Sequence, residues 1–350
     1  MKRLTPGSGP GLISSAPPPL RNRDGLFGLA LTVVADVALS SRQHSLSGMQ
    51  GQIEIILNAK SGSQKADVTH EVLAEVFRKS GRRFHISMAT GAQLNEIAEE
   101  RAATDCEILV AGGGDGTICC VGKAASKAGK TLGVIPLGTF NYFAKNLGIP
   151  LDPVAAAQVV LEGEKVHAPI LDLDGRLVLN NSSIGIHPAV LLKRRQLYRR
   201  LGRSQLNAYL SVLLTAFQPA PRLRVLLDTG EGQVVRETPL VMICSNAFQM
   251  EAFALAGKEC LAQGKFALYV ARMAGRATIF RLGLRALIRR LRPEIDYEVI
   301  CSSDVTIETL RHHRIRAAVD GELERLRSPL HFRVGPKTLC VLAPRERVRS

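Results

Sequence analysis

The sequence predicts an α/β domain with a parallel sheet, followed by an antiparallel β-sandwich domain. Three observations carry this. Between residues 52 and 136, apolar strand runs alternate with helical periodicity, the pattern of a parallel sheet covered on both faces. Each of those strands ends in a polar or glycine-rich turn, at the edge where such sheets bind ligands. Past about residue 165, short strand runs dominate, punctuated by turn pairs such as Asp174-Gly175 and Asp320-Gly321.

The elements follow in order. Residues 53–57 (Ile-Glu-Ile-Ile-Leu) read as a buried strand, and the polar turn 58–63 follows. Val68, Val72, Leu73, Val76 and Phe77 repeat at helical spacing. Residues 84–88 form a second strand, and a helix through about Ala103 turns Leu94, Ile97 and Ala98 inward. A third strand at 107–111 runs into Gly112-Gly113-Gly114-Asp115-Gly116-Thr117, with a helix to about Ala128 after it. A fourth strand, 132–135, leads to Pro136-Leu137-Gly138-Thr139. In the second part the strands are 177–179, 222–228, 240–244, 266–270, 297–301, 305–309 and 315–319, with inserted helices near 189–217 and 275–292. The last strand, 338–342, fits either domain. The expected organisation is therefore a leader over 1–50, an α/β domain over 51–165 and a sandwich over 166–345.

Composition narrows the function classes. The 350 residues are enough to bury real cores, and 22% charged residues exclude global disorder. Lys and Arg outnumber Asp and Glu by 46 to 31, a net +15 that suits an anionic partner. Seven cysteines without a CxxC pair or Cys/His cluster argue against a zinc module or a disulfide scaffold, and point to a reducing, cytosolic compartment. No run of 18 apolar residues exists, so no spanning helix is expected. The nearest approach is 26–39, interrupted by Asp36. Arg21 and Arg23 before that run allow a signal-peptide reading, but the cleavage site at Ala38 is poor. The Pro, Gly and Ser of 1–24 fit a non-structural leader better, with translation expected to begin at Met49.

The strongest chemical signal is the loop 112–117. Its glycines let backbone approach a ligand and expose N–H groups to an anion, and the following helix adds its positive end. Asp115 repels phosphate directly and suits a magnesium ion, held directly or through water. A tight turn without ligand is the plain alternative for a glycine loop taken alone. Asn58, Ser61, Gly62, Thr90, Gly138, Thr139 and Asn141 also follow strand ends, so four turns converge on one crevice.

From about Gln52 to Leu342 the chain resembles the diacylglycerol kinase catalytic-domain family, bacterial lipid kinases related to the sphingosine and ceramide kinases. The anchors are Asn58-x-x-Ser61-Gly62, Gly113-Gly114-Asp115-Gly116-Thr117, Pro136-Leu137-Gly138-Thr139-x-Asn141 and Asp320-Gly321-Glu322. The resemblance implies an NAD-kinase-like α/β domain, with ATP in the cleft beside the second domain. By the same resemblance, Gly113, Gly114, Gly116 and Thr117 cradle phosphates. Asn58, Ser61, Gly62, Thr90, Gly138, Thr139 and Asn141 complete the nucleotide site, with Glu322 near the nucleotide. Asp115 organises Mg2+, and Asp320 is the general base on a lipid hydroxyl. Read from residues alone, Asp320-Gly321 is equally a hairpin turn, for which Asp-Gly is a preferred pair.

Three departures from the family pattern stand out. Cys119 and Cys120 occupy positions where the family has Asn-Glu. Tyr142 replaces a common Asp. The stretch Leu261-Ala262-Gln263-Gly264 lacks the Asp pair tied to a structural magnesium, so none is expected there.

Two basic, leucine-containing segments remain, 193–203 and 276–292. Such segments fit an anionic membrane surface. Nothing resembles a nucleic-acid-binding signature. The expected protein is an ATP- and magnesium-dependent lipid kinase, peripheral at the inner membrane surface and acting on diacylglycerol or a related lipid. The competing readings are a kinase of a soluble acceptor such as NAD, and a nucleotide- or lipid-binding protein without turnover.

Overall fold

The computed structural model describes residues 51–345 apart from 60–65, 203, 217–221, 273–283, 286–287, 289, 294 and 336–338. The leader 1–50, Ser61, Gly62, Arg203 and most of the basic segment 276–292 lie outside the described residues.

Four strands build the core of the first sheet: β1 (Gln52–Asn58), β2 (Phe84–Ala89), β3 (Cys106–Gly113) and β4 (Thr131–Pro136). They pair in parallel in the order β2-β1-β3-β4. The apolar runs of β1, β3 and β4 are buried almost throughout, as strands covered on both faces must be. The covering helices are α1 (Ala66–Lys79), α2 (Leu94–Ala102), α3 (Asp115–Ala128) and α5 (Pro153–Glu162), with the short α4 (Tyr142–Asn146) at the crevice. Helix α2 packs on α3, and α1 packs on α5. Gly129, left-handed at φ 66°, stops α3. Pro153 opens α5, and the Asp152 carboxylate accepts from Ala155 N–H.

The sheet is completed from a distance. Strand β5 (Glu164–Ala168) pairs antiparallel with β18 (Leu339–Ala343), and β18 pairs parallel with β4. The last strand thus lies in the first sheet.

The rest is a sandwich of two six-stranded antiparallel sheets. One has the order β10-β9-β14-β17-β6-β7 and the other β13-β12-β11-β8-β15-β16. The first comprises β6 (Leu171–Leu173), β7 (Arg176–Val178), β9 (Leu223–Asp228), β10 (Gln233–Thr238), β14 (Asp304–Thr309) and β17 (Leu330–Val334). The second comprises β8 (Asn181–Gly185), β11 (Leu240–Cys244), β12 (Phe266–Ala271), β13 (Tyr297–Ser302), β15 (Arg314–Val319) and β16 (Glu322–Arg327). Alternate residues such as Ile184, Val225, Ile243, Phe266, Ile307 and Phe332 fill the space between the sheets.

The helix expected near 189–217 is two helices, α6 (Ile186–Leu201) and α7 (Gln205–Ala216), broken at Gly202 with φ 79°. Two short helices, α8 (Ala247–Ala252) and α9 (Lys258–Ala262), lie over Cys244, Ala267 and Tyr269 on the outer face of the second sheet. The cysteine pattern signalled no disulfide, yet Cys260 on α9 and Cys301 on β13 form one across a Cα–Cα span of 5.1 Å, while the other five cysteines are free. Among the described residues, no helix is long and apolar enough to cross a membrane.

Candidate active site

The carboxyl ends of β1, β3 and β4 bring the predicted turns together. Gly114 caps α3 in extended backbone without a side-chain cap. The N–H groups of Thr117 and Ile118 bond the Gly114 carbonyl, which leaves those of Asp115 and Gly116 without a partner inside the helix. Asn58 Nδ2 donates to Thr117 Oγ1 at 2.9 Å, joining β1 to that helix. Gly138 meets the loop from β4: a Cβ built there would stand 2.4 Å from Gly114 Cα. Only glycine allows these two loops to touch. Asn141, left-handed at φ 53°, holds the second loop by accepting from Gly138 N–H and donating to its carbonyl, each at 3.0 Å.

Asp115 bridges the loops. Its Oδ1 accepts from Phe143 N–H at 3.1 Å, at the start of α4. Burial raises its pKa, and the backbone donors of Phe143, Asn141 and Tyr142 counter that. Thr139, after β4, and Thr90, after β2, are both exposed; Thr90 Oγ1 donates to Gln93 Oε1, and among the described residues no hydrogen bond ties Thr90 to the other predicted site residues.

The second lobe contributes the β15–β16 hairpin. Val319 pairs with Glu322, leaving Asp320 (φ 49°) and Gly321 (φ 83°) as the two turn residues. The hairpin reading of Asp-Gly is thus correct, and the turn also faces the crevice. Glu322 Oε1 lies 3.7 Å from where a Cβ on Gly116 would be. Arg195 on α6 forms an ion pair with Glu322.

The Asp320 carboxylate is buried and heavily bonded. Oδ1 accepts from Asn180 N–H at 2.7 Å and Asn181 N–H at 3.3 Å. Oδ2 accepts from Leu179 N–H at 2.9 Å and from the Cys119 thiol at 3.1 Å. Burial raises its pKa against the pull of those donors and of Lys123. The Cys119 thiol is pushed well up by burial, then by Asp320, so it stays an S–H donor. Cys120, raised to about 11 mainly by burial, donates to Asn95 Oδ1.

Asp115, Cys119 and Lys123 recur every four residues, so they share the face of α3 toward the sandwich. Burial works to lower the Lys123 pKa, but its neighbours Cys119, Asp320 and Glu324 outweigh it and the pKa is raised.

Sequence reasoning missed a buried amide network behind this hairpin. Asn246 Nδ2 donates to Asn180 Oδ1 at 2.7 Å and to the Tyr142 carbonyl at 3.2 Å, tying the sandwich to the first lobe. Asn181 Nδ2 donates to Gln249 Oε1 at 2.9 Å. The visible signal was the polar run Asn180-Asn181-Ser182-Ser183 between apolar neighbours. An aromatic group also escaped notice: Tyr142 stacks on Phe140 and meets Phe248 and Phe253 of the second lobe.

Fold and crevice together define a two-lobed class, with a glycine loop in one lobe facing an acidic hairpin in the other. Within that class, residues 52–173 match the family described as the Diacylglycerol kinase catalytic domain, so the resemblance carried by the motifs holds over that stretch. A protein of Pseudomonas aeruginosa named Probable lipid kinase YegS-like is 32% identical over 170 residues, which are 47% of this chain and 54% of that protein. The Diacylglycerol kinase of Bacillus subtilis is 35% identical over 133 residues, 36% of this chain and 43% of that one. The chain thus spans about half the length of the curated relatives it matches. A crystal structure of a diacylglycerol kinase from Bacillus anthracis shares the fold with a TM-score of 0.62, at 15% identity, covering 85% of this chain and 98% of that one.

Proposed function

We propose that this protein is an ATP-dependent lipid kinase that transfers the γ-phosphate to the hydroxyl of diacylglycerol or a related lipid. The observation that carries the reading is the meeting of Gly116, at the N-terminus of α3, with the Asp320-Gly321-Glu322 hairpin. The N-terminus of α3 on one lobe faces a buried carboxylate on the other. The relatives' names and the matched catalytic domain support the lipid acceptor.

Phosphoryl transfer depends on positioning and charge neutralisation more than on covalent chemistry. The N–H groups of Asp115 and Gly116 and the positive end of α3 bind phosphate oxygens. Asn58 and Thr117 fix that end of the helix. The lipid oxygen attacks the γ-phosphorus while the bond to the ADP oxygen breaks. The hydroxyl proton passes to Asp320. Both carboxylate oxygens are already engaged, so one donor must turn away, and the Cys119 thiol is the weakest of the four.

Magnesium fits the donor set as an ion carried by the nucleotide. Among the described residues no cluster of three His, Cys, Asp or Glu side chains could hold a metal. Magnesium keeps waters and phosphate oxygens and needs few protein ligands. Asp115 would hold it, through water where its oxygens serve the α4 N–H groups. When bound, the ion neutralises charge on the phosphates.

The protein would act as a peripheral enzyme at the cytoplasmic face of the inner membrane. The end of α6 presents exposed Arg199, Arg200 and Leu201, and Leu206 is exposed at the start of α7. Basic residues beside exposed leucines suit an anionic bilayer. A non-catalytic reading draws on one observation, the fully engaged oxygens of Asp320.

Label transfer from γ-labelled ATP into an extracted lipid pool, with magnesium and with Asp115→Ala beside the wild type, separates the readings. Labelled lipid that disappears in the variant supports the kinase. ATP binding without labelled lipid overturns it.

A further inference from the structure

Helix α6 carries His187, Leu191, Arg194 and Tyr198 at helical spacing, one stripe turned toward the second sheet. Leu191 is buried, and His187 Nδ1 lies 2.6 Å from Ser183 Oγ on β8. Arg194 extends from this stripe over the hairpin. Its Nη2 is 3.9 Å from where a Cβ on Gly321 would stand. The residues whose charges it feels come from both lobes: Tyr142 from the first, Tyr198, Arg195 and Glu322 from the second.

Its partners do not match its cost. Arg194 is half-buried beside the hairpin, and that burial lowers its pKa. A desolvated cation is ordinarily paired with an anion. Among the described residues, no carboxylate lies within ion-pair distance of it. The carboxylate that could serve, Glu322, is paired with the next residue, Arg195. What Arg194 does have is the Tyr198 ring, with its Cζ 6.0 Å from the ring centre. A guanidinium is a planar fork suited to phosphate oxygens, and this one is held between an aromatic ring and a glycine turn.

The same turn reaches the phosphate-binding end of α3 through Glu322 and Gly116. An anion lying between the α3 N-terminus and Asp320 would therefore come to the Arg194 fork. We infer that Arg194 is the second lobe's contact to the phosphoryl group in transfer, an inference that rests on the kinase reading above. The first lobe holds the phosphates in the ground state. Arg194 adds positive charge as the group moves toward the acceptor, and stays on it in the product. Its neighbour His187, held neutral by burial and by the Arg194 charge with a pKa near 4, leaves Arg194 the cation of that stripe nearest the hairpin.

The test uses the full chain with Arg194→Gln and Arg194→Lys, each checked for unchanged thermal melting. Titration calorimetry compares Mg·ADP with Mg·ADP plus aluminium fluoride, a mimic of the phosphoryl group in flight. The wild type should bind the fluoride complex more tightly than Mg·ADP. Arg194→Gln should lose about 10²-fold or more of affinity for the fluoride complex, as for loss of one transition-state donor, and keep its affinity for Mg·ADP. Arg194→Lys should recover part of the loss. Equal binding of the fluoride complex by Arg194→Gln and wild type overturns the inference. So does an equal loss for both ligands, or a wild type that does not distinguish them. In parallel, label transfer to phosphatidylcholine vesicles containing dioleoylglycerol tests the kinase reading itself. No label in the vesicles, with the Arg194 dependence intact, contradicts the lipid acceptor and leaves the phosphoryl contact standing.

Discussion

Asp174 and Asp320 occupy the same kind of turn and have opposite surroundings. Each is the first residue of an Asp-Gly pair closing a two-residue hairpin, with φ 51° and 49° and a left-handed glycine after it. Asp174 is exposed, and its turn is held by Asp172 Oδ1 accepting from Gly175 N–H. Asp320 is buried and takes three backbone N–H groups and a thiol. Turn chemistry explains the residue type at both positions, and only the environment separates a connector from a candidate site. Asp320→Asn should therefore abolish transfer while ATP still binds by calorimetry; retained turnover would remove Asp320 as the base. Cys119→Ala tests the thiol. The Cys119 hydrogen bond favours the charged carboxylate, so its loss should raise the Asp320 pKa further. The acid limb of kcat/KM should then move to higher pH, and an unmoved profile would deny the coupling.

At the scale of elements, close approach and buried polarity set the sensitive points. Gly138→Ala would drive a methyl against Gly114 Cα and Asn141 Oδ1, 2.4 and 2.7 Å away. Overpacking of this kind costs about 1–3 kcal/mol, and here it also parts the two crevice loops. Thermal melting and ATP titration should both fall; unchanged ATP affinity would show that the loops can separate without harm. Helix α6 carries a pH dependence. Burial, then the Arg194 charge, lowers the His187 pKa from 6.5 to about 4. Between those values the unfolded chain binds more protons than the folded one, so stability falls as pH drops from about 6.5 to 4. His187→Gln should flatten that part of the melting curve against pH, and an identical slope would contradict it. What was legible in the sequence follows the same physics. Strands β1, β3 and β4 are buried on both faces, so their apolar runs stood out, and α3 showed its glycine start. Strand β8 was invisible because Asn181, Ser182 and Ser183 are buried yet polar. Strands β10 and β16 are sheet edges rich in charged and polar residues. The glycine loop announced itself locally. The Cys119–Asp320 contact spans 201 residues, and no local pattern encodes it.

On the scale of the whole molecule, the chain closes on itself. Strand β18 sits between β4 and β5 in the first sheet, after the chain has built the entire sandwich. Leu339, Val341 and Leu342 are each no more than 1% exposed. Burying such side chains stabilises by about 1.5–3 kcal/mol each, so losing three removes a large part of a typical total of roughly 5–15 kcal/mol. A chain ending before Leu339 should lose cooperative melting, and a native-like transition would show that the first sheet stands without β18. The same closure holds the two lobes of the crevice in one connected body, the Asn246 bonds to Asn180 and Tyr142 spanning them. In the proposed reaction this crevice moves phosphate from ATP to a lipid hydroxyl. Mass spectrometry of diacylglycerol vesicles incubated with the full chain, ATP and magnesium tests it most directly. Phosphorylated diacylglycerol and ADP should appear in equal amounts. ATP consumed with no phosphorylated lipid, or phosphate appearing on NAD instead, would contradict it.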